Sequence, residues 1–288
     1  MRTEFRLRTR MRSLANDAAT ALAVLFTAIV VLPLVAIFVY LILKGASSLN
    51  LAFFTRIPVP VGQTGGGMAN AIVGSATLLC IASVIGVPMG IGGGIYLAEF
   101  GRGTKLANAI RFTADVLNGV PSIVMGIAAY ALIVMPQGHF SALSGGVALG
   151  IMMIPTICRT TEEMLLMVPH VVREAALGLG VPNWRSVLSI TVKTASPGII
   201  TGCMLAFARV AGETAPLIFT ALGNQFWSTN LNEPIAALPL QIYVYAISPY
   251  DDWHRLAWAG ALVLIVLIVL AVSLVRFVTS RGVLKGTS

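Results

Sequence analysis

AATALAVLFTAIVVLPLVAIFVYLIL, residues Ala18–Leu43, runs for 26 positions without a charged side chain. Crossing the hydrocarbon core of a bilayer takes about 20 apolar residues in a helix, so this run can span it. The rest of the chain has the same character. Of its 288 residues 57% are hydrophobic and 10% are charged, and the mean hydropathy is +0.89. An average soluble domain is about 45–50% apolar and about 25% charged. A water-soluble fold of this length needs polar groups to cover its surface, and this sequence lacks them. A bilayer removes that requirement because lipid accepts apolar surface.

Five further apolar runs follow at Asn70–Leu97, Phe112–Val134, Ala142–Ile157, Pro197–Leu222 and Leu256–Val278. The fourth is short and contains Gly150 and Pro155. The expectation is an all-α integral membrane protein with six transmembrane helices. Residues 1–17 form a basic N-terminal segment and 18–288 a single transmembrane domain. The basic start resembles that of a secretory signal, but the apolar stretch exceeds the usual ~7–15 residues and no small-residue cleavage site is clear. It is read as a retained span.

The basic residues orient the chain. Arg2, Arg6, Arg8, Arg10 and Arg12 precede the first run, and Arg102, Lys105 and Arg111 lie between the second and third. Arg159, Arg173, Arg185 and Lys193 separate the fourth from the fifth, and Arg276, Arg281 and Lys285 end the chain. These are fifteen of the nineteen Lys and Arg. Lys44, Arg56 and Arg255 lie on the other side, and Arg209 falls inside the fifth run. Lys and Arg concentrate on the cytoplasmic side of membrane proteins, so both termini are expected in the cytoplasm of a bacterial inner-membrane protein. The net charge of +8 then follows from topology and needs no nucleic-acid partner.

Nearly every run carries a proline: Pro33, Pro88, Pro121, Pro155, Pro197 and Pro216. Proline removes a backbone donor and bends a helix, which neighbouring helices tolerate in membranes. Gly86, Gly90 and Gly94, and likewise Gly198 and Gly202, repeat every four residues. Small residues at that spacing let helices approach closely. Bent, glycine-lined helices suit tight packing and a moving bundle alike.

Signs of catalysis are weak. Gly65–Gly67 and Gly92–Gly94 are not followed by Lys and Ser/Thr at phosphate-loop spacing, so the chain is not expected to hydrolyse ATP itself. His139, His170 and His254 are far apart, as are Cys80, Cys158 and Cys203. Neither set has metal-ligand spacing, and no bound metal or cofactor is expected.

The segment from Arg159 to Ser196 is polar enough to leave the membrane, yet helical in composition. Thr161–Met167 and Val171–Leu179 read as amphipathic stretches. Gly180-Val181-Pro182-Asn183 is a strong breaker, and Trp184–Val192 resumes a helical pattern. A helix, a turn and a second helix on the cytoplasmic face suit a groove in a partner protein.

Glu174-Ala175-Ala176, Gly180 after three further residues, and Ile190 resemble the EAA loop of ABC-importer permeases. Val192 and Lys193 stand where that family often has Leu and Pro. Further segments narrow the resemblance: Gly94-Ile95-Tyr96-Leu97-Ala98-Glu99-Phe100, Asn118-Gly119-Val120-Pro121-Ser122, Gly212-Glu213-Thr214-Ala215-Pro216-Leu217 and Asn224-Gln225-Phe226-Trp227. Together they are similar to the A-type (PstA-like) permeases of bacterial inorganic-phosphate importers, from about Gly65 to Val278. The resemblance implies a type I ABC-importer permease fold. It implies a homologous second permease of the C type, a cytoplasmic ATPase dimer that binds ATP and Mg, and an extracytoplasmic phosphate-binding protein. Glu174, Ala175, Ala176 and Gly180 would then couple this chain to the ATPase. Sulfate and molybdate use permeases of related build. A secondary transporter without an ATPase is the reading that the EAA loop disfavours.

Ionisable groups within spans are functional candidates. Arg209 and Glu213 lie four apart in the fifth run, expected on one helix face and within pairing reach. Arg159 and Glu162 stand three apart at the inner end of the fourth. Either pair could line an anion path, with the arginine trading its glutamate for substrate, or simply neutralise itself and pin helices together. Asp115 and Glu99 are expected to face the interface or the cytoplasm. The aromatic-rich segment 222–253 is the longest outer loop, and Ile235–Ile247 is apolar enough to dip back into the bilayer or cover the path.

Overall fold

A computed structural model describes residues 2–63 and 65–284, and the side chains of 11–63 and 65–279. Helix α1 (Arg2–Gly45) carries the basic segment and the first apolar run without a break. The short α2 (Leu51–Thr55) leads to α3 (Ala69–Ile95), which continues through a π-helical turn at Tyr96–Phe100. Then follow α4 (Lys105–Gly119), α5 (Ser122–Ala129), a π-helical turn at Tyr130–Val134 and α6 (Met135–Gln137). Helix α7 (Ala142–Leu166) precedes α8 (His170–Gly178). Helix α9 (Asn183–Ser186), a π-helical turn at Val187–Thr191 and α10 (Val192–Ala211) succeed one another as one helical rod. The chain then forms α11 (Ala215–Thr220), α12 (Leu238–Ala246) and α13 (Asp251–Leu284). Among the described residues there is no strand, only an isolated bridge between Leu222 and Ile235.

Five helical stretches are long and apolar enough to cross a membrane: Met11–Ser48, Ala69–Phe100, Ala142–Leu166, Asn183–Ala211 and Asp251–Thr279. A sixth candidate is the pair Lys105–Gly119 with Ser122–Gln137, which passes the same test only together and is bent by 109°. The third run expected at Phe112–Val134 is therefore not one straight helix. Val120 is extended, at φ −71°, ψ 133°, because the ring of Pro121 clashes with an α-conformation in the residue before it.

Two other boundaries differ from expectation. The fourth run continues past Pro155 to Leu166, since the helices around α7 absorb the lost hydrogen bond. Thr161–Met167 is thus mostly the last turns of a span, not a separate loop helix. The fifth run starts at Asn183 and breaks at Gly212–Thr214, where Pro216 opens α11 within its first turn. A proline is tolerated there because the first helical N–H groups have no intrahelical partner. The exposed helix–turn–helix reduces to α8 and its turn, because the second helix is the start of the span.

Helix α7 is the centre of the bundle. It runs parallel to α3, with Gly86 against Met153, Gly90 against Ile157 and Gly94 against Thr161. A Cβ at these glycines would stand 2.8, 2.6 and 2.5 Å from the facing Cβ atoms. Only a hydrogen fits, and the backbones gain close dispersion contact in return. Helix α10 crosses α7 antiparallel by the same device, with Gly198 on Met164 and Gly202 on Thr160. Helix α12 tucks between α3 and α13, where the Leu238 N–H donates to Ser75 Oγ at 2.7 Å. Tyr245 stacks on Trp253 with ring centroids 4.6 Å apart. The apolar stretch Ile235–Ile247 thus returns into the bundle as a helix.

Helix α8 ends in a left-handed cap. Gly180 has φ +78°, its N–H donates to Leu177 O at 2.9 Å, and the Val181 N–H reaches Ala176 O at 3.2 Å. These are the two bonds of a Schellman motif. They give the interval from Ala176 to Gly180 a structural reason: Ala176 supplies the buried carbonyl and Gly180 the positive φ. Pro182 then prevents the helix from continuing and stands before Asn183, where the next one begins.

Two outcomes follow from this packing. Gly90→Val should lower the thermal midpoint of the purified protein, through about 1–3 kcal/mol of overpacking. Gly92→Ala, whose Cβ would meet open space, should not lower it. Gly180→Val should cost roughly 1–2 kcal/mol of local stability and speed amide hydrogen exchange at Gly180 and Val181, with Gly180→Asn milder.

Candidate functional site

The charged side chains gather where α3, α4, α7 and α8 meet. Glu162 on α7 is 4% exposed and lies between two guanidinium groups. Arg111 Nε donates to its Oε1 at 2.6 Å, and Arg159 Nη1 to its Oε2 at 2.7 Å. Arg159 also pairs with Asp115 on α4 at 2.9 Å. Arg111 reaches Asn108 Oδ1 at 3.1 Å and the Leu97 carbonyl at 3.0 Å. One turn further into the bundle, Thr156 Oγ1 donates to Asn118 Oδ1 at 2.9 Å. The cluster ties α4 to α7 and to the end of α3.

The expected pairing of Arg159 with Glu162 is present, but it is half of a four-residue chain. Arg111 and Asp115 complete it. Their four-residue spacing on one helix face was the available signal. Two salt bridges to α7 satisfy charges that would be costly to bury alone.

A second bridge stands beside the first. Arg173 on α8 sends Nη2 to Glu99 Oε1 at 2.7 Å and to the Leu165 carbonyl at 2.6 Å, and Nη1 to the Val168 carbonyl at 3.3 Å. The side chains of Arg173 and Glu99 are 12% and 7% exposed. Glu99 does not face an interface or the solvent, because it is sealed under α8. No spacing in the sequence announces this pair, since its members are 74 residues apart.

Glu174 and Ala175 point out from α8 and Ala176 points in. Around them the turn carries bare apolar side chains, with Leu179 85% and Trp184 61% exposed. A helix end with a carboxylate ringed by apolar groups is suited to insertion into a groove on another protein.

Arg209 and Glu213 do not pair. Helix α10 ends at Ala211, so the helical geometry that would place them one turn apart is lost at Gly212. Among the described residues no ion pair joins them within 4.0 Å, and Arg209 is exposed with no side-chain hydrogen bond. Glu213 is half-buried. The height of Arg209 follows from the packing register. Gly202 faces Thr160 on α7, and Leu217 lies against Gly145 near the start of α7. Arg209 falls between these levels, opposite the middle of the central helix.

Among the described residues no group of three His, Cys, Asp or Glu could hold a metal ion. Cys80, Cys158 and Cys203 are free thiols.

Residues 90–282 match the family model of the binding-protein-dependent transport system inner membrane component. The phosphate transport system permease protein PstA of Yersinia pestis is 49% identical over 238 residues, 83% of this chain and 81% of that protein. The PstA of Haemophilus influenzae is 44% identical over 274 residues, 95% and 96% of the two. Among solved structures, an inward-facing form of the MetNI methionine ABC transporter is similar. Its TM-score is 0.57 at 21% identity, covering 76% of this chain and 96% of that one. The shared build is the type I ABC-importer permease fold, on a multi-pass membrane protein that serves as a transport subunit. The chain belongs to the binding-protein-dependent transport system inner membrane component family and, within it, to the PstA permeases.

Proposed function

We propose that this chain forms, with a homologous second permease, the path by which inorganic phosphate is imported at the expense of ATP. The observation that carries the reading is Arg209, a guanidinium at mid-height in an apolar bundle, exposed and unpartnered among the described residues. Such a charge is costly against lipid. The face that bears it therefore turns toward a water-filled path, which the second permease closes from the other side. A guanidinium is always charged and matches a phosphate's oxygens in a fork. Glu213, beyond the helix break, lowers the net positive potential there, so that an anion is attracted without being trapped. The substrate itself is inferred from the relatives, which are named phosphate permeases.

The energy comes from outside the chain. A cytoplasmic ATPase dimer, carrying ATP and Mg, receives α8 in a surface groove, with Glu174 making a polar contact at its centre. A phosphate-binding protein delivers substrate at the opposite end. The basic loops at the α8 end support a cytoplasmic location for that end and for both termini. ATP-driven closure then rocks the permease pair, because its two states differ in their contacts with the ATPase.

Two substitutions test the halves of the proposal separately. In the reconstituted transporter, Arg209→Ala should reduce phosphate uptake about 10- to 100-fold, the loss of a charged hydrogen bond, without preventing assembly. Full uptake by that variant removes Arg209 from the path, and competition by sulfate or molybdate as strong as by phosphate overturns the substrate. Glu174→Lys should weaken ATPase copurification by roughly tenfold or more. Unchanged pull-down and uptake would sink the docking role of α8.

A further inference from the structure

We infer that Arg173 is a positioning residue that locks the ATPase-docking helix to the moving bundle, through its bridge to Glu99 and the end of α7. The inference rests on the reading that α8 docks on an ATPase. It goes beyond that reading by naming the element that transmits the motion.

Helix α8 has few other attachments, chiefly Val172, which packs partly buried against the core. Ala176 is the one buried residue among its nine. Its apolar exposed side is turned away from the bundle, toward the proposed partner. A helix gripped by a partner on one face and attached to its own protein by two short turns would tilt or slide when pulled. Arg173 prevents this. It directly precedes the exposed Glu174, yet it turns into the bundle and is nearly enclosed, at 12% exposed.

Its guanidinium spans two elements. Glu99 belongs to the π-helical turn that ends the α3 span, while Leu165 and Val168 present carbonyls at the close of α7. Backbone carbonyls at a helix C-terminus carry partial negative charge and lack intrahelical donors, so a cation is well placed there. Glu99 has no other side-chain partner among the described residues, and at 7% exposed water cannot replace the one it has. The planar fork of arginine can serve all three oxygens at once. Lysine, a single compact charge, cannot.

The bridge attaches α8 to a block that is already rigid. Helices α3 and α7 are zipped by Gly86, Gly90 and Gly94, and Glu162 clamps α4 to α7. A pull on α8 is thereby delivered to α3, α4 and α7 together. Without the bridge, closure of the ATPase would move α8 alone, and hydrolysis would proceed with little transport.

The test uses the complete transporter in liposomes with its binding protein. Phosphate uptake and ATP hydrolysis are measured on the same preparation. Arg173→Lys and Glu99→Gln should retain the ATPase subunits, and the ATP consumed per phosphate delivered should rise about tenfold. An unchanged ratio in the assembled variants overturns the inference. So does a parallel fall of both rates through loss of the ATPase, which would make Arg173 part of the docking surface. If the conservative variants do not assemble, the exchanged pair Arg173→Glu with Glu99→Arg decides. Recovery of assembly and of a lower ratio than in either single charge reversal supports the bridge, and failure to recover counts against it. Failure of the docking reading itself would look different, because the unaltered chain would then not retain the ATPase.

Discussion

The approach of α3 to α7 across Gly86, Gly90 and Gly94 governs the rest of the architecture. In lipid, apolar burial between helices gains little, because the tails are as apolar as leucine. Close contact must supply the stability, and three glycines in register provide it. The contact at Gly94 and Thr161 also brings the next residue of α7, Glu162, beside the end of α3. There Leu97 offers its carbonyl to Arg111, and Glu99 its carboxylate to Arg173. A bulkier residue at Gly94 would do more than loosen packing, since it would separate the charges whose mutual neutralisation lets them lie inside the bundle.

The ion pairs have a different task from the glycines. A buried salt bridge contributes little net stability, because desolvation offsets its attraction, but leaving one partner alone is strongly unfavourable. Glu162 between two arginines, and Glu99 under Arg173, therefore select one arrangement of helix ends over its neighbours. Such selection matters where a helix must be held at a fixed angle against an outside force. The polar clasps lie at the α8 end, where the contacts of Gly94 with Thr161 and of Gly198 with Met164 adjoin them, and the contacts of Gly86, Gly90 and Gly202 continue the packing further up. Charge pairing and close packing therefore coincide where the partner is proposed to grip the bundle.

Much of this was legible in the sequence. Length and apolar composition located the five long spans and the bent pair, because crossing a bilayer is a local requirement on about 20 consecutive residues. The cap of α8 was readable for the same reason, since Gly180 and Pro182 act on their own backbone. Breaks were harder. Pro33, Pro88, Pro155 and Pro197 all lie inside continuous helices, whereas Pro121 and Pro216 stand at breaks. Gly119 precedes the first break and Gly212 the second. Gly86-Val87-Pro88 repeats the Gly119-Val120-Pro121 triplet inside the unbroken α3, so the local sequence does not separate a tolerated proline from a break. Ion pairs across the fold were the least visible. Arg111 meets Glu162 over 51 residues and Arg173 meets Glu99 over 74, distances at which spacing rules are silent. The one expected pair that the structure lacks, Arg209 with Glu213, fails because it assumed a helix through Gly212.

That failure is informative, because it sets Arg209 apart from three other arginines of the bundle. Arg111, Arg159 and Arg173 each bind a carboxylate, and Arg111 and Arg173 also donate to backbone carbonyls. Their charge helps to hold helices together, and an arriving anion would compete with Glu162, Glu99 or the more exposed Asp115. Arg209 has no such competitor. It sits at mid-height on an open face, at the last turn of a rod whose end is loosened by Gly212 and Glu213. A charge left unsatisfied by its own chain, in a layer where satisfaction is most needed, is incomplete by construction. On the proposed reading the fold is half of a path: three arginines are neutralised where they hold helices together, and Arg209 is left bare for an anion that must come and go.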